Sequence, residues 1–110
     1  MRFKVYLVRH GDSDFYKIGV ARNIKERIAD LQVASPVELH LVHTINAGDA
    51  TSTKRRAEGL LHKAYTPKNA VRGEWFRFDV NEVKVVIDHM NHLERMIIQN
   101  MKKVLEILDG

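Results

Sequence analysis

The 110-residue chain has no cysteine, so neither a disulfide framework nor a thiolate metal site is open to it. No apolar run approaches the ~18 residues that a membrane-spanning helix needs, and no signal-like segment precedes the first strand pattern; a cytoplasmic protein is the expectation. Internal repeats and low-complexity tracts are also missing. Proline occurs twice, at Pro36 and Pro67. Each marks an expected break, because proline disfavours helix in the residue before it and removes an amide donor. With 45% hydrophobic and 29% charged residues the composition is that of an ordinary folded domain rather than a disordered chain. The length suits one domain with a single modest core. The net charge of +4 is uneven: residues 1–78 carry +6 and residues 79–110 carry −2. A basic body with a mildly acidic tail fits a polyanionic partner held by the body alone.

Residues 4–31 organise the rest. Val5 and Leu7 alternate with Tyr6 and Val8, the period of a half-buried strand. His10-Gly11-Asp12-Ser13-Asp14 is turn chemistry, so Phe15-Tyr16-Lys17-Ile18 is expected to return as a hairpin strand ended by Gly19. Asn23 is placed to cap a helix, with Glu26 three residues on and Ile24, Ile28 and Leu31 as its apolar stripe. Val37–Ile45 reads as a third strand. A second helix is expected from about Ala50 to Tyr65, its core stripe being Ala57, Leu60, Leu61 and Ala64, followed by a basic loop over 66–73. Glu74–Phe78 reads as a short aromatic strand or extended segment, with Trp75, Phe76 and Phe78 assigned to the core. Asp79 or Asn81 then caps a long helix to about Leu108.

In that last helix Val86, Met90, Leu93, Ile97, Met101, Val104 and Leu108 recur at spacings of three and four. Unbroken, it is about 43 Å long at ~1.5 Å per residue, more than a body with a radius of gyration of ~13 Å can cover. It either overhangs or breaks near Asn91-His92 or Asn100. An overhanging stripe calls for a homodimer or another helical partner through residues 83–108. The expected fold class is therefore α/β: a small three-stranded, mainly antiparallel sheet flanked by helices, plus a long C-terminal helix. The expected division is a body at 1–79 and a helical extension at 80–110.

Val5-Tyr6, Lys17-Ile18-Gly19, and Arg27 eight residues after that glycine resemble the landmarks of the GIY-YIG nuclease domain. Glu58-Gly-Leu-Leu-His62 and Gly73-Glu74-Trp75-Phe76 resemble a viral, bacterial and fungal branch of that family, which reads KIG where others read YIG. The resemblance spans about residues 3–78. It implies a divalent-metal-dependent endonuclease that hydrolyses DNA phosphodiester bonds with Mg²⁺ or Mn²⁺. By this resemblance Glu58 holds the metal, Arg27 and Lys17 relieve charge on the phosphate, and Tyr6 or a metal-bound hydroxide is the base toward the attacking water. His62 is a candidate proton relay or second ligand, and Tyr16, Gly19 and Glu74 support the site. Two departures stand out: Lys4 replaces the first motif's glycine and Lys17 the second motif's tyrosine, with Tyr16 one residue early and directed to the other sheet face. The cations expected against DNA are Arg22, Lys25, Lys54, Arg55, Lys63, Lys68 and Arg72, as backbone contacts without sequence readout. The alternative is a catalytically inactive nucleic-acid-binding or regulatory module that keeps the fold.

Overall fold

The computed structural model describes residues 2–49 and 51–109. β1 (Lys4–His10) and β2 (Phe15–Ala21) form the expected hairpin, with Tyr6 facing Gly19 and Val8 facing Lys17 across the pair. Gly11 takes a left-handed φ of 55° in the turn, where glycine carries no steric penalty. Arg9 clamps the turn from inside, its guanidinium donating to the Ser13 and Asp12 carbonyls at 2.8 and 2.9 Å. β2 does not stop at Gly19 as expected but continues to Ala21. The glycine serves a neighbour instead: a Cβ there would lie 2.2 Å from the Tyr6 hydroxyl oxygen.

The sheet has five strands, not three, in the order β3-β1-β2-β5-β4, and every pairing is antiparallel. β3 (Leu39–Asn46) runs along β1, and the two additional strands form a small hairpin: β4 (Ala70–Arg72) lies where a loop was expected, and β5 (Trp75–Arg77) lies within the segment read as a short strand or extended stretch. Three-residue strands are too short to show an alternation of their own. Gly73, with φ 55°, turns the hairpin.

α1 (Ile24–Val33) lies on one face of the sheet. Asn23 caps it by accepting from the Glu26 amide at 3.1 Å, and its Ile24, Ile28 and Leu31 pack on a small cluster of Tyr6, Val8 and Leu39. The opposite face carries the main core, where Val5, Leu7, Tyr16, Ile18, Phe76 and Phe78 meet α2 (Thr51–Asn69) and α3 (Val80–Asp109). The expected start of α2 at Ala50 lies outside the described residues. At its other end α2 passes through Pro67 to Asn69 instead of stopping at Tyr65. The proline forfeits one amide bond, to the carbonyl of exposed Lys63, which water can reach. Buried Asn69 then fastens the helix end, donating to the Arg77 carbonyl at 3.0 Å and the Glu82 carboxylate at 2.7 Å. Of the expected α2 stripe only Ala57 and Leu61 are buried; Leu60 and Ala64 are exposed.

A reciprocal capping box starts α3: Asp79 accepts from the Glu82 amide at 2.8 Å, and Glu82 accepts from the Asp79 amide at 3.1 Å. The helix is unbroken at Asn91-His92 and at Asn100. Asn91 pairs instead with the His43 ring at 2.7 Å, and Glu94 accepts from the Asn46 amide at 2.6 Å, so this stretch is stitched to β3. Val86, Met90 and Leu93 are buried in the main core. The division expected at 79/80 thus falls at the α3 cap, and the helix beyond it is built into the body. Residues 101–109 are all exposed, and the molecule extends to 53 Å in its long direction. Among the described residues no helix is long and apolar enough to cross a membrane.

Candidate active site

β5 ends opposite Lys17, so Ile18–Ala21 of β2 have no strand on that side. Helices close in on this open stretch from both faces. From the α2 side, the His62 ring packs edge-on against Phe76 with centroids 5.1 Å apart, and its Nε2–H donates to the Ile18 carbonyl at 2.9 Å. A carbonyl can only accept, so Nε2 carries a proton in this contact and Nδ1 is the ring atom left for another partner. Glu58, one turn earlier on α2, is half-buried and makes no hydrogen bond or ion pair among the described residues. Burial pushes its pKa up, and the Glu74 charge adds to this; His62, Lys17 and Lys54 oppose it.

From the α1 side come Tyr6 and Arg27. Tyr6 is buried in the sheet with its ring lying across Gly19, which fixes where the phenol can sit. The neighbouring Tyr6 phenol is the main cause that raises the pKa of exposed Arg27, and Glu74 and Asp30 add to this against the opposing effect of burial. Between the two sides lie Lys17 and Glu74. The Lys17 ammonium, buried under the Trp75 ring at 5.6 Å from its centroid, is 2.7 Å from the Glu74 carboxylate. That hydrogen bond holds the Glu74 carboxyl below the usual range against the effect of burial, with the charges of Lys17, His62 and Arg27 acting the same way. The four elements β1, β2, α1 and α2 and the β4–β5 turn therefore bring Tyr6, Lys17, Arg27, Glu58, His62 and Glu74 into one electrostatically coupled group.

The two carboxylates at this edge are unlike. Glu74 already has a cation, whereas Glu58 is desolvated and unpaired. A hard divalent cation that keeps most of its waters needs only one or two carboxylates, and Glu58 fits that need. No group of three metal-capable side chains occurs among the described residues. The arrangement also differs from expectation at Lys17, whose ammonium is engaged by Glu74 instead of standing free for a phosphate. Tyr16 lies away from this edge, buried in the main core against Phe78 with Arg9 over its ring.

The expected nucleic-acid cations fall into separate groups. Arg22 and Lys54 converge on the Phe3 ring, 5.1 and 4.3 Å from its centroid, so one aromatic side chain gathers cations from the β2 end and from α2. Nothing in the local pattern around Phe3 signalled that role. Lys25, Arg55 and Lys63 are exposed on α1 and α2, Arg72 is exposed on β4, and Lys68 leans on Glu82 at 3.8 Å. Trp75 is only half-buried, apart from the core that holds Phe76 and Phe78. The period of two gave that signal: Trp75 is out of step with the two phenylalanines.

No curated protein and no solved structure matches the chain. A family match runs from Lys4 to Met101, across the whole sheet, the grouped side chains and most of α3; the chain belongs to the T5orf172 domain family.

Proposed function

We propose that this protein is a divalent-metal-dependent DNA endonuclease of the GIY-YIG type, working at the open edge of β2. The observation that carries the proposal is the convergence there of Tyr6, Arg27, Glu58 and His62, four residues chosen by motif and supplied by three elements, β1, α1 and α2. In this reading Glu58, together with water, would hold Mg²⁺ or Mn²⁺, which would supply positive charge at the scissile phosphate and its leaving oxygen. Arg27 presents its fork of donors to a phosphate oxygen. Tyr6, pinned over Gly19, acts as base in its phenolate form, taking the proton of the attacking water and becoming the neutral phenol. His62, with Nδ1 free as acceptor, relays a proton within the same group. Arg22, Lys54 and Lys63 hold the strand by its backbone without reading sequence. The partner of the exposed end of α3 is a second copy of the chain in this reading, which makes the enzyme a homodimer.

The Lys17–Glu74 pair supports the second reading, a binding module without catalysis, because it occupies the position at which a free cation was expected. Nicking of supercoiled plasmid with Mg²⁺ or Mn²⁺, by the native protein and by Glu58→Ala and Arg27→Ala, separates the two. The endonuclease reading requires cleavage by the native protein and its loss in both variants. DNA binding at low salt with no cleavage under any metal would establish the second.

A further inference from the structure

Next to this edge, on the α1 side of the sheet, a cleft of ≈440 Å³ lies between α1 and the β4–β5 hairpin. His10, Phe15, Leu31, Val71, Arg72 and Trp75 form its walls. Three of these are rings from three different strands. Trp75 belongs to both places, lining the cleft while its ring lies 5.6 Å from the Lys17 ammonium. His10 meets Trp75 edge-on at 5.7 Å, and the Arg77 guanidinium covers Phe15 at 5.0 Å from the ring centroid. At the mouth Val71 is 53% exposed, an apolar side chain left in water, and Arg72 is exposed beside it. Among the described residues no carboxylate lines the cleft.

We propose that this cleft binds an unpaired nucleobase of the substrate strand, adjacent to the phosphate held at the open edge of β2. The proposal rests on the nucleic-acid reading above and narrows its substrate class. A base is a flat ligand with two π-faces and suits apolar, aromatic walls. The phosphates attached to it suit a rim that carries arginine and no acid. The volume lies within the ~300–1,000 Å³ of small-ligand sites, room enough for a base and its sugar. A base inside an intact duplex cannot enter, so the cleft selects DNA with a free base beside the cut: a flap, a junction or a single-stranded end.

Trp75 is the only tryptophan in the chain, so all tryptophan emission comes from a ring that lines this cleft, and the abasic strand controls for binding at the neighbouring Lys17 edge. The native protein, without divalent metal so that nothing is cut, is titrated with an oligothymidylate of about eight nucleotides and with an abasic strand of equal length. Anisotropy of a labelled end reports binding in parallel. The expected result is quenching of Trp75 by the oligothymidylate and about tenfold tighter binding of it than of the abasic strand. Arg72→Ala, an exposed change that spares the fold, is expected to weaken the first complex more than the second. Equal affinity for both strands, or binding of oligothymidylate without a response from Trp75, overturns the proposal while leaving the endonuclease reading intact. Failure of both strands to bind at low salt also overturns the proposal, whereas the endonuclease reading falls only if the plasmid is not cut.

Discussion

The two faces of the sheet are built to different standards. The face under α2 and α3 holds fourteen buried residues in one cluster, among them Phe76, Phe78, Leu61 and Met90 at 0–1% exposure. The face under α1 holds three, Tyr6, Val8 and Leu39, and α1 itself has no buried residue. Stability therefore concentrates on one side of the molecule. Tyr6 and the proposed base cleft lie on the other, where packing is thin enough to leave rings and cations within reach of a ligand. Glu58 and His62 reach the same edge from the well-packed side, which supplies a firm mounting.

Truncation is the bluntest way to break this comparison. Phe76→Ala is expected to cost about 3–5 kcal/mol of unfolding free energy, as large-to-small changes in a packed core do. Ile28→Ala on the α1 face is expected to cost only about 1 kcal/mol, since its side chain is partly exposed already. Denaturant unfolding of the two variants decides it, and comparable losses would mean that the faces are energetically alike.

Gly19→Ala comes next. The added methyl must displace the Tyr6 ring, at an expected stability cost of about 1–3 kcal/mol, and a phenol displaced by about 1 Å implies a roughly 10²-fold loss of cleavage. Cleavage and the unfolding midpoint are measured together, and a variant that cuts normally removes Tyr6 from the mechanism.

Glu58→Gln sharpens the contrast between mounting and chemistry. Because the folded-state pKa of Glu58 is raised, keeping it ionised at neutral pH opposes folding, and the penalty fades as pH falls through that value. The neutral amide is therefore expected to melt at the same or a higher temperature at pH 7 while cleaving nothing. Added Mg²⁺ should raise the melting temperature of the native protein and leave the variant unmoved. A clear drop in the variant's melting temperature would mark Glu58 as structural.

The smallest effect is expected of Glu74. Its folded-state pKa is lowered, so its contribution is present above the unfolded value of ~4.3 and is lost as pH falls through the lower folded one. Glu74 is half exposed, so the contribution is at most about 1 kcal/mol. In Glu74→Gln the difference between melting temperatures at pH 6 and pH 3 should narrow slightly; an unchanged difference would mean that Lys17 stabilises nothing through this pair.

Much of the candidate site was legible because its residues sit in short local patterns: Tyr6 in an alternating strand, Arg27 on a capped helix, and Glu58 and His62 one turn apart. What could not be read depends on distant segments. Lys17 finds its partner 57 residues away in a hairpin turn, and a free cation and a paired one look the same in sequence. β4, and with it the pairing of β5, was hidden because a three-residue strand is too short to alternate and Pro67 argued for a helix stop followed by a loop. Leu60 and Leu61 look equivalent in the α2 pattern, yet only Leu61 meets the sheet. Periodicity identifies a helix and its apolar side, but the curvature of what it packs against decides which apolar residues are covered.

α3 contains neither glycine nor proline over thirty residues, which makes it a stiff rod rather than a tether. Its free end and its anchorage on β3, through Asn91 and Glu94, are parts of one rigid body. Whatever seizes the last turns gains a lever arm on the sheet: a tilt of the free end is delivered as torque to β3, and thence to its neighbour β1, the strand that carries Tyr6.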